Sequence, residues 1–391
     1  MAEWKDYTVA DVISTVIDYR GKTPKKLGGD WSASGYRALS AKNIKMGKIV
    51  QDDSIRYVSE EMYKKWMKEE IQKEDILITS EAPFGQIYYW DSDEKIVLSQ
   101  RLFAIRVNQS FYPKYIYFYM TSAYFQAELD GRATGTTVVG LRQPELLKCK
   151  ILAPEYQEQK KIADTLWCLE QKINSNEKIN DNLEQQAQKL FSNFYERATE
   201  SVPFTSIIQI LGGGTPKTSE SSYWNGDIPF FTPKDVGCPY TFMTEKTITE
   251  DGLNHCNSRL YPVNTIFVTA RGTVGKVGLS GVPMAMNQSC YALVGKDIEQ
   301  LLVYFYTLET VNSLKHKASG AVFDAITTKD FDYERVMCLS KNDSTVFLTI
   351  VSPIFKKILS NCLENKKLAE LRDSLLPKLM SGEIDVSAIK L

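Results

Sequence analysis

The chain has 391 residues, 43% of them apolar and 24% charged, with a formal net charge of −1. That length has room for two or three domains with separate cores, and the near-neutral balance excludes any inference of nucleic-acid binding from charge alone. No unbroken apolar run of 18 residues and no charged leader before an apolar stretch occur, and the seven cysteines form no C-x-x-C pair. The expectation is a cytoplasmic protein with reduced thiols that neither spans a membrane nor is secreted.

In chain order, residues 1–153 are rich in aromatic and β-branched side chains with scattered Gly and Pro. Strands are expected over 71–79 and 96–107, and a helix with an aromatic face over 112–130. Together they make an α+β domain with a mixed sheet. Pro154 opens a long helix, with Glu155 and Glu158 in its positive first turn. It runs to about Arg197, before Val202-Pro203 breaks it. Residues 198–341 repeat the mixed plan. Asp343 or Ser344 is expected to cap a second long helix, with its tail over 342–391, which Gly382 ends beyond Pro377.

The chain is written twice. The first long helix carries a heptad seam at Ile162, Leu166, Leu169, Ile173, Asn176, Asn180, Leu183, Ala187 and Leu190. Adding 185 to each number gives Phe347, Val351, Ile354, Ile358, Asn361, Asn365, Leu368, Arg372 and Leu375. Two asparagines interrupt both seams at equivalent places, and an asparagine in such a seam fixes register and partner at some cost in stability. The repeat reaches further forward. Thr23-Pro24-Lys25 answers Thr215-Pro216-Lys217, and Lys42 answers Lys234. Residues 76–79 with Gly85 answer 266–269 with Gly275; Gln100 and Ala104 answer Gln288 and Ala292; Tyr117-Phe118-Tyr119 answers Tyr304-Phe305-Tyr306; Gly135 answers Gly320. The offset drifts in small steps from 192 to 185, as loop insertions within one duplicated unit would make it. A period of this size means two whole domains rather than a solenoid.

An antiparallel helix pair would place the domains at opposite ends of a dumbbell, with seams centred on Asn176 and Asn361 so that like asparagines face each other. The heptad segment is then roughly 40 Å long at about 1.5 Å per residue, somewhat more than the roughly 34 Å of one DNA turn. The competing arrangement has each helix packing only on its own domain.

Two similar heads at fixed spacing suit a bipartite target such as DNA half-sites. The supporting residues are local clusters. Lys22, Thr23, Lys25, Arg37, Lys42 and Arg132 lie among turns and aromatics of the first domain, and Thr215, Lys217, Lys234, Arg271, Lys276, His316 and Lys317 among those of the second. Glycine-rich turns such as 212–214 allow backbone N–H groups to approach phosphates, and lysines release counterions there. Base readout requires side chains with donor and acceptor patterns; Arg37, Asn43, Gln86, Arg101 and Arg132 are the candidates in the first domain, and Asp235, Arg271, Lys276, His316 and Lys317 in the second.

The order domain, helix, domain, helix resembles the specificity subunit of type I restriction-modification enzymes. The resemblance is carried by Gly213-Gly214-Thr215-Pro216-Lys217 with Tyr223-Trp224 and Ile228-Pro229-Phe230, by 269–276 (Thr-Ala-Arg-Gly-Thr-Val-Gly-Lys), by the helix entry over 154–163, and by the ending over 375–384. It covers essentially the whole chain. It implies two target-recognition domains that each read half of a split double-stranded DNA sequence. It also implies helices that act as spacer and docking surface for two methyltransferase subunits, with restriction-translocase subunits joining them. The first domain departs from the pattern, with Arg20-Gly21-Lys22 for Gly212-Gly213-Gly214 and Glu81-Ala82-Pro83-Phe84-Gly85 for Arg271-Gly272-Thr273-Val274-Gly275, which implies unlike half-sites.

Catalysis finds no support. The chain lacks the cofactor-binding Gly-rich turn and the Asn/Asp-Pro-Pro-aromatic motif of adenine methyltransferases, and no Gly-Lys-Ser/Thr follows Gly214. Its two histidines, His255 and His316, lie far apart without metal-ligand spacing. Glu158-Gln159-Lys160 mimics part of a nuclease signature without the aspartate it needs. No cofactor and no metal are expected. The remaining rival is a coiled-coil scaffold or adaptor that never touches nucleic acid.

Overall fold

The computed structural model describes residues 4–134, 139–237, 239–317 and 325–386; the expected Gly135–Gly320 correspondence lies outside them. The chain divides into two compact units, one made of residues up to Ile173 together with those from Lys367 on, the other of Asn174–Lys366.

In the first unit, Ile76–Thr79 is buried along its whole length because strands flank it on both edges. A four-stranded antiparallel sheet runs in the order Ile13–Asp18, Leu102–Val107, Ile76–Thr79, Ile87–Tyr89. A second sheet sets Tyr36–Leu39 between Arg56–Val58, antiparallel, and Ile96–Leu98, parallel. The expected strand over 96–107 is therefore two strands serving two sheets. Ser99-Gln100-Arg101 makes the turn between them, with Arg101 in the left-handed region at φ 62°. The expected helix over 112–130 is also two, Pro113–Thr121 and Ala123–Arg132. Ser122 breaks it: its hydroxyl donates to the Tyr119 carbonyl and accepts from the Phe125 N–H, so one side chain closes one helix and caps the next.

The second unit repeats the plan. Ile208–Gly212, Cys290–Gly295, Ile266–Thr269 and Val277–Ser280 form the antiparallel sheet, extended by Tyr240–Thr241, and Trp224–Phe231 lies between Lys246–Ile248 and Ala285–Met286. Register repeats with the sequence. Ala104 opposes Leu77 where Ala292 opposes Phe267, and Ile105 opposes Ile76 where Leu293 opposes Ile266.

The long helices span Tyr156–Tyr195 and Lys341–Met380. The cap of the second is Ser340, one turn ahead of expectation: its hydroxyl meets both the Asp343 carboxylate and the Asp343 N–H. Gly382 closes that helix in the left-handed region at φ 74°. Every seam position named from the heptads is shielded, fully or partly, from solvent.

Within the second unit the seam is antiparallel, and its asparagines correct the expected register. Asn176 donates to Asn365 Oδ1 at 2.8 Å and to Glu364 at 2.9 Å, while Asn361 donates to Asn180 Oδ1 at 2.8 Å. Each asparagine thus meets the unlike one, a helical turn away from the midpoint-to-midpoint register. The offset makes two amide pairs. Within the first unit Arg372, which interrupts the apolar seam, meets Glu170 at 2.6 Å.

Within each unit the long helices pack on one another and on the domain as well, so packing on the domain alone is not what the chain adopts. Trp167 sits edge-on to Tyr89 at 5.0 Å, and Phe347 and Phe355 both pack against Phe305. One 18-residue stretch of the second long helix is long and apolar enough, by composition, to cross a membrane. One side of that helix is seated in the domain core through Phe347, Val351, Phe355 and Ile358.

Candidate nucleic-acid interface

Each domain presents the same cleft. In the first it is lined by Ser40, Ala41, Lys42, Arg56, Ala82, Ser99, Gln100 and Arg101, with Trp31 and Ser54. In the second, Thr232, Pro233, Lys234, Lys246, Gly272, Asn287 and Ser289 occupy the corresponding sequence positions, joined by Glu245, Arg271 and Thr273. Three chain segments make it: the turn after the central strand of the three-stranded sheet, the loop after the buried strand, and the turn between the two sheets.

Backbone hydrogen bonds seat these segments alike. Ser80 N donates to Arg101 O at 2.8 Å, as Ala270 N does to Ser289 O at 2.8 Å; Leu141 N donates to Ser80 O, as Ile326 N does to Ala270 O. The first turn is held by a capping side chain. Ser40 N–H and hydroxyl both donate to Asn43 Oδ1, at 3.1 and 2.8 Å, and Thr232 does the same to Asp235 Oδ2, at 2.8 and 2.6 Å. Asn43 is 1% exposed, and its amide is spent on the Val50 and Gln51 carbonyls and the Ser54 hydroxyl. Asp235 also accepts from Glu245 N. Both residues therefore position the turn that carries the exposed Lys42 and Lys234.

The cations of the cleft are duplicated. Lys42 and Lys234 are exposed at one side; Lys234 lies 3.5 Å from Glu245. Opposite, Arg56 is held 5.1 Å over the Trp31 ring and Lys246 5.6 Å over the Trp224 ring. Each domain thus pins one cation by a tryptophan face. Arg56, Lys246 and Trp31 were not singled out from sequence. The signal was present, because Arg56 stands 190 positions before its counterpart, within the drift of the repeat, and Trp31 stands 193 before its own, one step outside it.

The other candidates divide. Arg101 lines the cleft and pairs with Glu81 at 2.9 Å, while Arg271 lines its counterpart with no ion pair among the described residues. Thr215 donates to the side chain of Gln288, which stands between the lining residues Asn287 and Ser289. Gln86 is spent on Met46 N and Phe84 O. Lys22 donates to the Trp66 carbonyl and lies over Tyr19. Thr23 accepts from Lys26 N; Arg37 is claimed by Glu94 and Asp52. Arg132 is held charged chiefly by hydrogen bonding to Glu128, with Glu145 nearby. Lys317 pairs with Glu334, and His316 is its exposed neighbour at the end of the helix Gln300–Lys317. Lys25, Lys217 and Lys276 are exposed but do not line either cleft. Two glycines of the run 212–214 also meet neighbouring backbone closely. A Cβ on Gly213 would fall 2.2 Å from the Asn287 carbonyl oxygen and one on Gly214 2.6 Å from Asn257 N, so these glycines permit close packing.

No group of His, Cys, Asp and Glu among the described residues could hold a metal ion. The clefts offer paired cations, amides and tryptophans, a set suited to holding phosphates and base edges.

Two copies of one α+β domain, each with a cationic cleft and each followed by a long helix, define a two-headed nucleic-acid-recognition protein. Residues 1–185 and 197–371 each match the type I restriction modification DNA specificity domain, and the chain belongs to that family. It is a non-catalytic DNA-specificity subunit of a type I restriction-modification system, which leaves the scaffold reading without support. Its relatives include the HindI specificity subunit of Haemophilus influenzae, 24% identical over 406 residues that cover 81% of this chain and 88% of that one. The EcoR124I/EcoR124II specificity subunit of Escherichia coli is 34% identical over 152 residues, 36% of this chain and 37% of that one. In fold, the chain is similar to the type I restriction-modification S subunit of M. genitalium, with a TM-score of 0.57, 16% identity, and coverage of 97% and 96%.

Proposed function

We propose that each domain reads one half of a split double-stranded DNA target through its cleft, and that the paired helices set the unspecified gap and carry two methyltransferase subunits, to which restriction subunits attach. The complex acts in the cytoplasm, where its DNA lies. The observation that supports this best is the duplicated cleft with its matched cations: one phosphate-binding frame used twice, with different side chains set into it. Co-expression with the neighbouring methyltransferase subunit, followed by mapping of N6-methyladenine across the host genome, is expected to yield a split motif with a fixed gap. A folded complex that leaves no new methylation would sink the proposal.

The docking surface for the methyltransferase subunits is supported by apolar side chains left in water on the helices. Val346, Ile350 and Leu363 in the second unit are each more than 40% exposed, and a partner covering them gains about 1.5–3 kcal/mol for each side chain fully buried. Ile350→Glu is expected to weaken association with the methyltransferase subunit by roughly tenfold or more without lowering the melting temperature of the chain alone. Unaltered association in a pull-down titration would place the docking surface elsewhere.

A further inference from the structure

Most of the cleft's lining changes between the two repeats. Ala82 becomes Gly272, Ser99 becomes Asn287 and Arg101 becomes Ser289, while the glutamine between the last two, Gln100 and Gln288, does not change. Both glutamines are exposed. Both sit at the middle of the turn that joins the two sheets, and that turn is seated identically from beneath. Ser99 N donates to Leu39 O at 2.7 Å, as Asn287 N does to Phe231 O at 3.0 Å. The residue after each glutamine accepts from the loop after the buried strand, as described above. The fold thus sets one glutamine in the middle of the same turn twice: Gln100 lines the first cleft, and Gln288 stands exposed between Asn287 and Ser289, which line the second.

An exposed amide at such a point contributes little to folding. In the first domain Ala41 N donates to the Gln100 backbone carbonyl at 3.0 Å, and the Gln100 side chain has no partner among the described residues. In the second, Thr215 donates to Gln288 Oε1, leaving that oxygen a second acceptor site and the Nε2 group both its hydrogens. Phosphate is held better by the charged side chains of each cleft, Lys42 and Arg56 in one and Lys234 and Lys246 in the other, than by a neutral amide. Glutamine is suited to something else: its amide donates to N7 of adenine while its oxygen accepts from N6, a bidentate fit that other bases do not offer in the major groove.

We propose that Gln100 and Gln288 each read an adenine, so that the two otherwise unlike half-sites share an adenine at equivalent positions, and that Thr215 is a positioning residue for the second. The inference rests on the split-target reading. The test is therefore selection from a random double-stranded DNA library by the full chain in complex with its methyltransferase subunits, for wild type and variants. A wild-type selection without two separated half-motifs defeats the split-target reading. A split wild-type motif that Gln100→Ala and Gln288→Ala both leave unchanged defeats this inference alone.

The expected result is that each alanine variant loses discrimination at one adenine of one half-site, by roughly 5- to 150-fold, while the other half-site stays intact. The two variants relax opposite halves. Gln100→Glu is expected to move preference at its position from adenine toward cytosine, and Thr215→Val to loosen the same base as Gln288→Ala, to a smaller extent. Uniform weakening over all sequences with a shallower salt dependence, the behaviour expected of Arg56→Met, would make the glutamines phosphate contacts and overturn the proposal. Unchanged thermal melting of each exposed-site variant confirms that recognition, not folding, is being read.

Discussion

Arg106→Met is expected to destabilise the first domain by about 3–5 kcal/mol, because it strips the counter-charge from a carboxylate that has no other access to water. Asp75 is 1% exposed, and Arg106 donates to both its oxygens at 2.9 Å. The same guanidinium donates to the Glu70 carbonyl at 2.8 Å and pairs with Glu69, so one side chain fastens the sheet strand Leu102–Val107 to the segment before Ile76. Methionine fills similar volume but leaves the Asp75 side chain buried, with the Gln72 N–H as its one remaining donor among the described residues. Denaturation of the full chain should show a new early transition, and the DNA selected by the variant complex should lose one half-motif while keeping the other. The double variant Arg106→Met with Asp75→Leu should recover much of the loss, because replacing a buried pair by apolar side chains is often neutral. A melt for Arg106→Met that overlays wild type would show that the Arg106–Asp75 pair does not hold the domain together.

This ion pair marks the boundary of what was legible beforehand. The duplication, the two helices and their apolar faces could be read directly, because burial on a helix follows a period that one segment displays by itself. Axial register could not. Heptads say which face meets the partner, but which asparagine meets which depends on the slide between helices, and the chosen slide lets amide donors meet amide acceptors. The cleft was only half legible for a similar reason. Lys42, Lys234, Arg101 and Arg271 stand out as cations near turns. Arg56 and Lys246 join them only because a strand that begins at each pairs with the strand leading to the lysine turn, a contact between segments well apart in sequence. Asn43 and Asp235 show the ambiguity of a polar residue beside a lysine, because capping a tight turn needs the same short side-chain oxygen as reaching a base.

Removal of one heptad from both helices, residues 181–187 and the opposing 354–360, is expected to shorten the recognised gap by about three base pairs and leave both half-motifs as they were. The length follows from seven residues at about 1.5 Å each against about 3.4 Å per base pair. The two segments are opposite each other by the register that Asn180 and Asn361 set. A whole heptad turns the apolar face by only about 20°, so the seam can close again. Removal from one helix alone is a different matter. The Asn180–Asn361 pair and the Phe191–Phe347 contact at 5.5 Å tie the same two helices on either side of the deletion. Shortening one strand of that ladder by about 10 Å forces one tie to break, so the one-sided variants should melt early and methylate poorly, while the two-sided variant melts near wild type. Affinity of the two-sided variant should nevertheless fall, because three base pairs carry about 100° of helical twist at 10–10.5 base pairs per turn, and the shortened helices follow little of it. A two-sided variant that methylates at the original gap would mean that DNA or the methyltransferase subunits, rather than helix length, measure the distance between half-sites.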